Sequence, residues 1–563
     1  MYARTVKRMN KDGSIVEYGQ LCQNRWNKDK GRSEVRVIYN IGRLDRFTKN
    51  EYEKIIETIK SLESFLPESD RRYTKEENLP ISSKEFGMAY LASAVWKELH
   101  LDKLIKSLLK KKKFTLPVEK AIRAMVLDRI IFPLSKKGAY EWMEKELFFE
   151  GAKELSLHHF YRAMDFCEDY QEEMQEAIAS SLSGLFNRRP FVVFYDTSTT
   201  YFEIDKEDSL RKRGYSEDKR FDKPQIVLGI AINKDGYPIK HWVFPGNSSD
   251  KEKVEYVIGE IRKMKDKNIK DDDNLTPLLW ISDSGMMKNR ALEFLESKGE
   301  QYIIAQPVRS KIGDVLILNK EHDKEEGKNR NLLDITLWNG KHVLTEEKII
   351  NNRRYLICED LEQKDVDRET REEILQYIKT VLKETKNRID SKKILSLYTH
   401  RTYGGYLKKD GETHEIVIDE EHVKKEEKRD GKYILLTNNL TEDAALIVSG
   451  YRSLYTIERT FKTMKNILKV RPIYHHIEER IKAHVFLCVL AYLIVHYIEM
   501  KAQMTFSYVK NTIEKLHAVE YKTKDGVTIC QRTQITNKQR EIFNKLNIPD
   551  PPIYLSMSNN DKQ

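Results

Sequence analysis

Two kinds of hydrophobic spacing divide this chain. In the middle third, FVVFYDTSTTYFEI (191–204) is an apolar run of β-branched and aromatic residues. QIVLGIAI (225–232) and YPIKHWVF (237–244) have the same character and flank Asn233-Lys234-Asp235-Gly236, a strong hairpin turn signal. The pattern predicts three consecutive strands. PGNSSD (245–250) then leads into an amphipathic helix to about residue 265, with Asp250 as its expected cap. PLLWISDSGM (277–286) reads as a short strand ending at a glycine turn, 286–299 as a helix, and YIIAQP (302–307) as a fifth strand.

Steps of three and four replace this pattern at 451–471, YRSLYTIERTFKTMKNILKVR, where Leu454, Ile457, Phe461, Met464 and Leu468 recur without an intervening proline or glycine. That spacing predicts one amphipathic helix. Tyr451, Glu458 and Lys465 are seven apart, about two turns each, and would line one edge of it. Glu458 would sit on or beside the inward apolar face, where an unpaired charge is costly. An ion pair with a nearby cation or a bound metal ion would each satisfy it.

The N-terminal third alternates differently. Residues 1–48 read as a small β-hairpin module with turns at Asp12-Gly13 and Lys30-Gly31. A helix is expected at 50–66 and a polar linker at 67–80, and helices dominate from 84 to 186. One of these ends in Lys110, Lys111, Lys112 and Lys113, so 49–186 is expected to be a helical DNA-binding region, although a lysine run also suits a solvated face. Between about 308 and 432 the chain is highly charged with short alternating stretches and a polar helix near 368–393, which reads as a β-rich insertion.

Two acids interrupt the apolar strands. Asp196 lies mid-strand, where no capping role is open to it and burial of an unpartnered carboxylate is expensive. Asp283 ends its strand, where ligands of α/β sheets bind, but local grounds alone favour a role as the cap of the following helix.

Composition narrows the choices. At 563 residues the chain exceeds one compact core, and 40% hydrophobic residues exclude wholesale disorder. The net charge of +10, from 99 basic and 89 acidic side chains, is modest for this length, so a nucleic-acid site would be a local surface. In 451–471 the cations Arg452, Arg459, Lys462, Lys465, Lys469 and Arg471 face the single acid Glu458. Cysteines 22, 167, 358, 488 and 530 form no metal-ligand spacing, and neither do they combine with His475, His476 and His484 into a zinc site. They suit a reducing cytoplasm. The first residues lack the apolar core of an export signal, and the longest apolar run, 485–495, is too short to span a bilayer and predicts a buried core helix.

Three antiparallel strands, a helix, a strand, a helix and a further strand is the element order of the ribonuclease H-like fold. With that order, FYDTSTTYFE, PGNSSD, ISDSGM, YIIAQP, VRPIYHH, KAHVFLCVLAYLI and RIIFPLSKKGAYEW together resemble a DDE transposase of a bacterial insertion sequence, in the insertion sequence 4 group and its 1634-like branch. The resemblance spans roughly 1–500. The group's helix signature is Tyr, two residues, Arg, three residues, Glu, six residues, Lys. Tyr451, Glu458 and Lys465 match it, whereas Leu454 stands at the Arg position, with Arg452 or Arg459 as candidate replacements.

The resemblance implies a multidomain α+β and α/β protein. A ribonuclease H-like core at 187–306 and 433–500 would be split by the insertion at 307–432 and followed by a possible dimerisation region at 501–563. It implies that Asp196, Asp283 and Glu458 are catalytic and hold two Mg²⁺ or Mn²⁺ ions, Asp196 bridging both. Tyr451, Arg452, Arg459, Lys462, Lys465 and Arg471 would contact DNA, and Thr197 and Thr199 would support the first strand. The expected partners are double-stranded DNA, as terminal inverted repeats and target, and a second copy of the chain in a cytoplasmic homodimer, with no membrane. Two divalent ions about 4 Å apart activate a nucleophile and stabilise a leaving oxygen. Water would act first and the freed 3′-hydroxyl second, in strand transfer. A structure-specific nuclease of the same fold and a catalytically silent DNA-binding protein are the alternatives.

Overall fold

The computed structural model describes residues 2–9, 15–27, 32–44, 80–111, 116–181, 191–248, 250–268, 277–283, 287, 289–318, 332–336, 340–385, 392–413, 415–522 and 527–559. The expected helix at 50–66, the linker up to residue 79 and both N-terminal turns lie outside them. The chain divides into two compact units.

One unit comprises Met1–Leu91, Trp142–Glu150 and Ser507–Gln563. Tyr2–Met9, Ile15–Asn27 and Arg32–Arg43 form an antiparallel sheet in sequence order. A second sheet joins Ser82–Glu85 to three strands from the far end of the chain, His517–Lys522, Val527–Arg532 and Tyr554–Asn559, all antiparallel. The sequence near 513–517 also reads as a helix, and the structure places that helix earlier. The helix is Phe506–Ile513, and His517 already pairs with Glu85 in the sheet. Helix Asn537–Leu546 opens with a capping box in which Thr536 and Gln539 satisfy each other's backbone N–H groups.

The other unit, Ala92–Glu141 and Gly151–Phe506, holds a nine-stranded mixed sheet. Strands β1 (Phe191–Tyr201), β2 (Gln225–Asn233) and β3 (Pro238–Pro245) are antiparallel neighbours. Every residue of β2 is buried, which explains its unbroken apolar run. The β2–β3 turn closes as expected: Asn233 Oδ1 accepts from the Asp235 and Tyr237 N–H groups, and Gly236 has φ 88°, a conformation that favours glycine.

Helix α1 (Asp250–Asn268) precedes β4 (Leu278–Ser282), which runs parallel to β1, and helix α2 (Asn289–Ser297) precedes β5 (Gln301–Gln306), parallel to β4. This half of the sheet has the order β3-β2-β1-β4-β5. Val193, Tyr195, Trp280, Tyr302 and Ile304 join residues of α1 and α2 in one buried cluster, so those helices cover one face.

Most strands of the insertion join the same sheet; Leu407–Lys409 and Ile416–Ile418 pair apart from it as a two-stranded antiparallel sheet. Strands β6 (Leu333–Thr336), β7 (His342–Ile350), β8 (Arg353–Asp360) and β9 (Lys432–Thr437) extend the same sheet beyond β5, in the order β6-β7-β8-β9-β5 and all antiparallel. The second half of the insertion is mainly helical, and the polar helix expected near 368–393 is present there. Helix α3 (Leu361–Thr385) occupies 25 residues, and its Ile378, Val381 and Leu382 build a small core with Ile394, Leu397, Leu407 and Ile416. The absence of proline and glycine from this charged stretch permits the helix.

After β9 the chain returns through helices α4 (Ala444–Arg452), α5 (Tyr455–Asn466) and α6 (Glu478–Ala502). The single helix expected over 451–471 is therefore divided. At Ser453 and Leu454 the backbone tightens into short turns, with Leu454 N–H donating to Tyr451 O at 2.9 Å and Thr456 N–H to Ser453 O at 3.0 Å. Helix α6 is the one described helix long and apolar enough to cross a membrane, yet 89% of its apolar window is buried inside the protein. It is locked to the sheet: the Tyr492 hydroxyl donates to Gly236 O at 2.9 Å and lies 2.9 Å from Thr460 Oγ1 of α5.

Candidate active site

The register of β1 against β4 decides the site. Phe191 pairs with Leu278 and Phe194 with Ile281, an offset of 87 residues that persists along the pair. Asp283 follows Asp196 by the same 87 residues (283 − 196). Both acids lie two residues beyond the Phe194–Ile281 pair, level with each other on neighbouring parallel strands, with Asp283 one residue past the end of β4. Side-chain alternation puts Asp196 on the face opposite Tyr195 and Val193, and Asp283 opposite Trp280, away from the α1–α2 core. The covering helices on that face are α4, α5 and α6.

Helix α5 brings the third acid. Ile457, Thr460, Phe461, Thr463 and Met464 are buried, while Glu458, in the first turn, is exposed instead of inward-facing. Leu454, Ile457, Phe461, Met464 and Leu468 are all buried as their spacing predicts, and Glu458, next to Ile457, stands at the exposed edge of that face.

The charges of these acids also act on one another. Burial pushes the Asp196 carboxyl up to about 7, against the hydrogen bond from the Thr197 N–H at 2.8 Å, and the charges of Glu217, Asp283 and Glu458 raise it further. Tyr451, at the end of α4, senses the same acids: burial first, then Asp283 and Glu458, push its hydroxyl up to about 12. Tyr451, Asp196, Asp283 and Glu458 thus share one electronegative cleft. Among the described residues, no three His, Cys, Asp or Glu side chains lie close enough together to hold a metal ion, so the acids feel one another's charge without forming a closed donor set.

The cations of this region are partnered. Lys465 Nζ donates to Glu217 Oε2 at 2.8 Å, Arg471 pairs with Asp218 and lies 5.3 Å over the Tyr201 ring, and Arg459 pairs with Glu499 at 2.8 Å. Arg452 turns toward the insertion, pairing with Asp360 at 2.7 Å and lying over the Tyr433 ring. Lys462 is exposed. Lys110 and Lys111 are exposed at the end of helix Leu101–Lys111, an element that carries none of the acids, and Lys112 and Lys113 lie outside the described residues. Burial drives His475 down to about 3 and His484 well below its usual value, and His484 Nε2 lies 2.9 Å from Val470 O, which marks both as neutral packing groups.

Glu217 and Asp218 escaped the reading of the sequence. The signal was available in the length of the β1–β2 connection, 23 residues (202–224) where a hairpin needs about two to five. Their Glu-Asp pair stands inside it.

A mixed α/β protein with a large mixed sheet, consistent with the ribonuclease H-like fold, and with acids converging at the ends of its central parallel strands, is of the kind that cleaves phosphodiesters. The model of the transposase DDE domain family matches residues 197–494, more than half of the 563, beginning one residue after Asp196 and including Asp283 and Glu458. The chain belongs to that family and is a transposase whose substrate is DNA. No curated protein matches the chain.

Proposed function

We propose that the chain is the transposase of a bacterial insertion sequence, of the insertion sequence 4 group and its 1634-like branch, cutting DNA at the ends of its element and joining them to target DNA. The observation that carries this reading is the β1–β4 register, which sets Asp196 level with Asp283 on the face that α5 covers.

The donor chemistry fits the divalent ions that the family generally uses. Oxygen-rich carboxylates suit hard cations, and a cation at this place would offset both the burial that chiefly raises Asp196 and the repulsion from the neighbouring acids. Asp196, Asp283 and Glu458 would hold Mg²⁺ or Mn²⁺, and such ions supply Lewis acidity to a scissile phosphate and lower the pKa of a bound water. The chain's own residues bind and orient DNA. Lys465 and Lys462 on α5 and Arg471 beyond it place positive charge on the side of the acids, and Tyr451 offers a hydroxyl to a phosphate oxygen from within the cleft. Arg452 or Arg459 would add a phosphate contact by exchanging its present carboxylate partner. Residues 49–186 would contribute further DNA contacts, Lys110–Lys113 among them, and 501–563 would join two copies in a cytoplasmic dimer.

A cleavage and strand-transfer assay tests this reading, using DNA that carries the gene with its native flanks, Mg²⁺ or Mn²⁺, and Asp196→Ala as control. Excision and insertion that vanish in the variant support it. Cutting without joining would replace it with a nuclease, and DNA binding without cutting with a silent binding protein.

A further inference from the structure

Glu217 has more partners at the cleft than a loop acid needs. Its carboxylate accepts from Ser198 Oγ at 2.7 Å and from Lys465 Nζ at 2.8 Å, and its backbone N–H donates to Thr199 Oγ1 at 3.1 Å. Ser198 lies two residues beyond Asp196 on β1, with its side chain on the same face, and Lys465 lies seven beyond Glu458 on α5. One carboxylate therefore bridges the strand of the first acid and the helix of the third.

Placing it there has a cost. Glu217 stands first among the like charges acting on Asp196, ahead of Asp283 and Glu458. A fourth negative charge in an already crowded cleft is retained only where its bonds offset the repulsion, and those bonds end on β1 and α5. Asp218, the next residue, pairs with Arg471 beyond the end of α5, so the connection is fastened to this region at two successive residues.

We propose that Glu217 is a positioning residue for DNA cleavage: by holding Ser198 and Lys465 together, it fixes α5, and with it Glu458, against the strand that carries Asp196. Glu217 touches neither DNA nor the reacting phosphate in this role. The proposal rests on the transposase reading above, and it adds a residue that the three acids and the helix signature leave out.

The test compares Glu217→Gln, Glu217→Asp, Lys465→Met and the Glu217→Gln/Lys465→Met double variant on DNA carrying the native ends. Cleavage rate is measured at saturating DNA, and end binding is measured separately without divalent metal. Glu217→Gln keeps the shape and a hydrogen bond to Ser198 but loses the charge that holds Lys465. The expected result is a cleavage rate about 10- to 100-fold lower, the range seen when a partner that orients a metal-binding side chain is lost. End binding should change by less than about threefold, since a half-exposed ion pair contributes little to affinity. Glu217→Asp should recover part of the rate, and the double variant should be no slower than the slower single variant, because both changes break one bridge.

A Glu217→Gln enzyme that cleaves at the wild-type rate overturns the proposal, as do single-variant losses that multiply in the double. Binding that falls in step with the rate also overturns it, because Glu217 would then act through affinity. A wild-type chain that cuts no DNA sinks the transposase reading itself, a result that none of the variant comparisons can mimic.

Discussion

The two halves of the nine-stranded sheet solve burial in opposite ways. In the β3-β2-β1-β4-β5 half, the strands are mostly apolar and buried; their charged residues are Asp196 and Lys240, the latter paired with Glu172 and Glu260, and Asp283 follows the end of β4. In the β9-β8-β7-β6 half, charged residues stand along the strands and are neutralised pairwise: Arg354 with Glu347 at 2.7 Å, Arg353 with Glu296 at 2.9 Å, Arg452 with Asp360. The lesson concerns where an acid is left costly. Those three carboxylates each meet a guanidinium, whereas Asp196 is buried with other acids acting on it, and an acid placed at such cost is a mark of a functional site.

Removing the acids should have the largest effect and break the comparison outright. Asp196→Ala, Asp283→Ala and Glu458→Ala are each expected to lower DNA cleavage by more than about a hundredfold, beyond what loss of an orienting partner costs. Binding to native ends in a gel-shift experiment should remain. Retained metal-dependent cutting by any one of them would remove that residue from the site.

Stability should separate the halves next. Trp280, fully buried in β4, should cost about 3–5 kcal/mol on truncation to Ala, whereas Arg354→Ala, which leaves Glu347 without its guanidinium, should cost about 1–3 kcal/mol in the same urea titration. Equal losses would mean that the paired half is as dependent on its contacts as the apolar one.

The pH dependence should carry opposite signs. Asp196 is raised to about 7, so the folded protein binds its proton more tightly than the unfolded chain, and this group's contribution favours folding at low pH and is lost as pH rises from about 4 to about 7. For Asp360 burial pushes upward, but the hydrogen bond and charge of Arg452 win and hold the carboxyl below its usual value; its contribution is present above the unfolded pKa and lost as pH falls through the folded one. In metal-free buffer, Asp196→Asn should raise the thermal midpoint at pH 8 and leave it unchanged near pH 4, and Asp360→Asn should lower it at pH 8. Addition of Mg²⁺ at pH 8 should stabilise the wild type more than Asp196→Asn. A midpoint for Asp196→Asn that is indifferent to pH would show that the acid is not strained.

The smallest effect is expected in end binding by Lys465→Ala, apart from its cleavage rate: weaker binding, with the slope of log affinity against log salt reduced by about one. An unchanged slope would mean that Lys465 serves Glu217 alone.

Much of this was legible in local pattern. The three strands around Asn233–Gly236 and the strand ending at Asp283 follow from runs of apolar and β-branched residues that have no other economical place, and Asp196 stood out because a mid-strand acid has no local job. The long apolar stretch before His496 was legible as a core helix, but α6 is long and apolar enough to cross a membrane, so its burial in the structure and not its length places it in the interior. Glu217 was not legible, because its role depends on where a 23-residue connection folds back, and no periodicity records that.

What the sequence determined by itself is which segments are strands or helices and which acids are anomalous, since both follow from the solvation of individual side chains along a repeating backbone. Tertiary structure decided the rest: that the offset of β1 against β4 equals the spacing of Asp196 and Asp283, that the helix expected at 451–471 divides at Ser453, that Glu458 stands at the exposed edge of its face, and that most strands of the charged insertion join the same sheet. Each of these depends on the relative placement of segments distant in the chain, set by the packing of whole faces, and no local spacing encodes it.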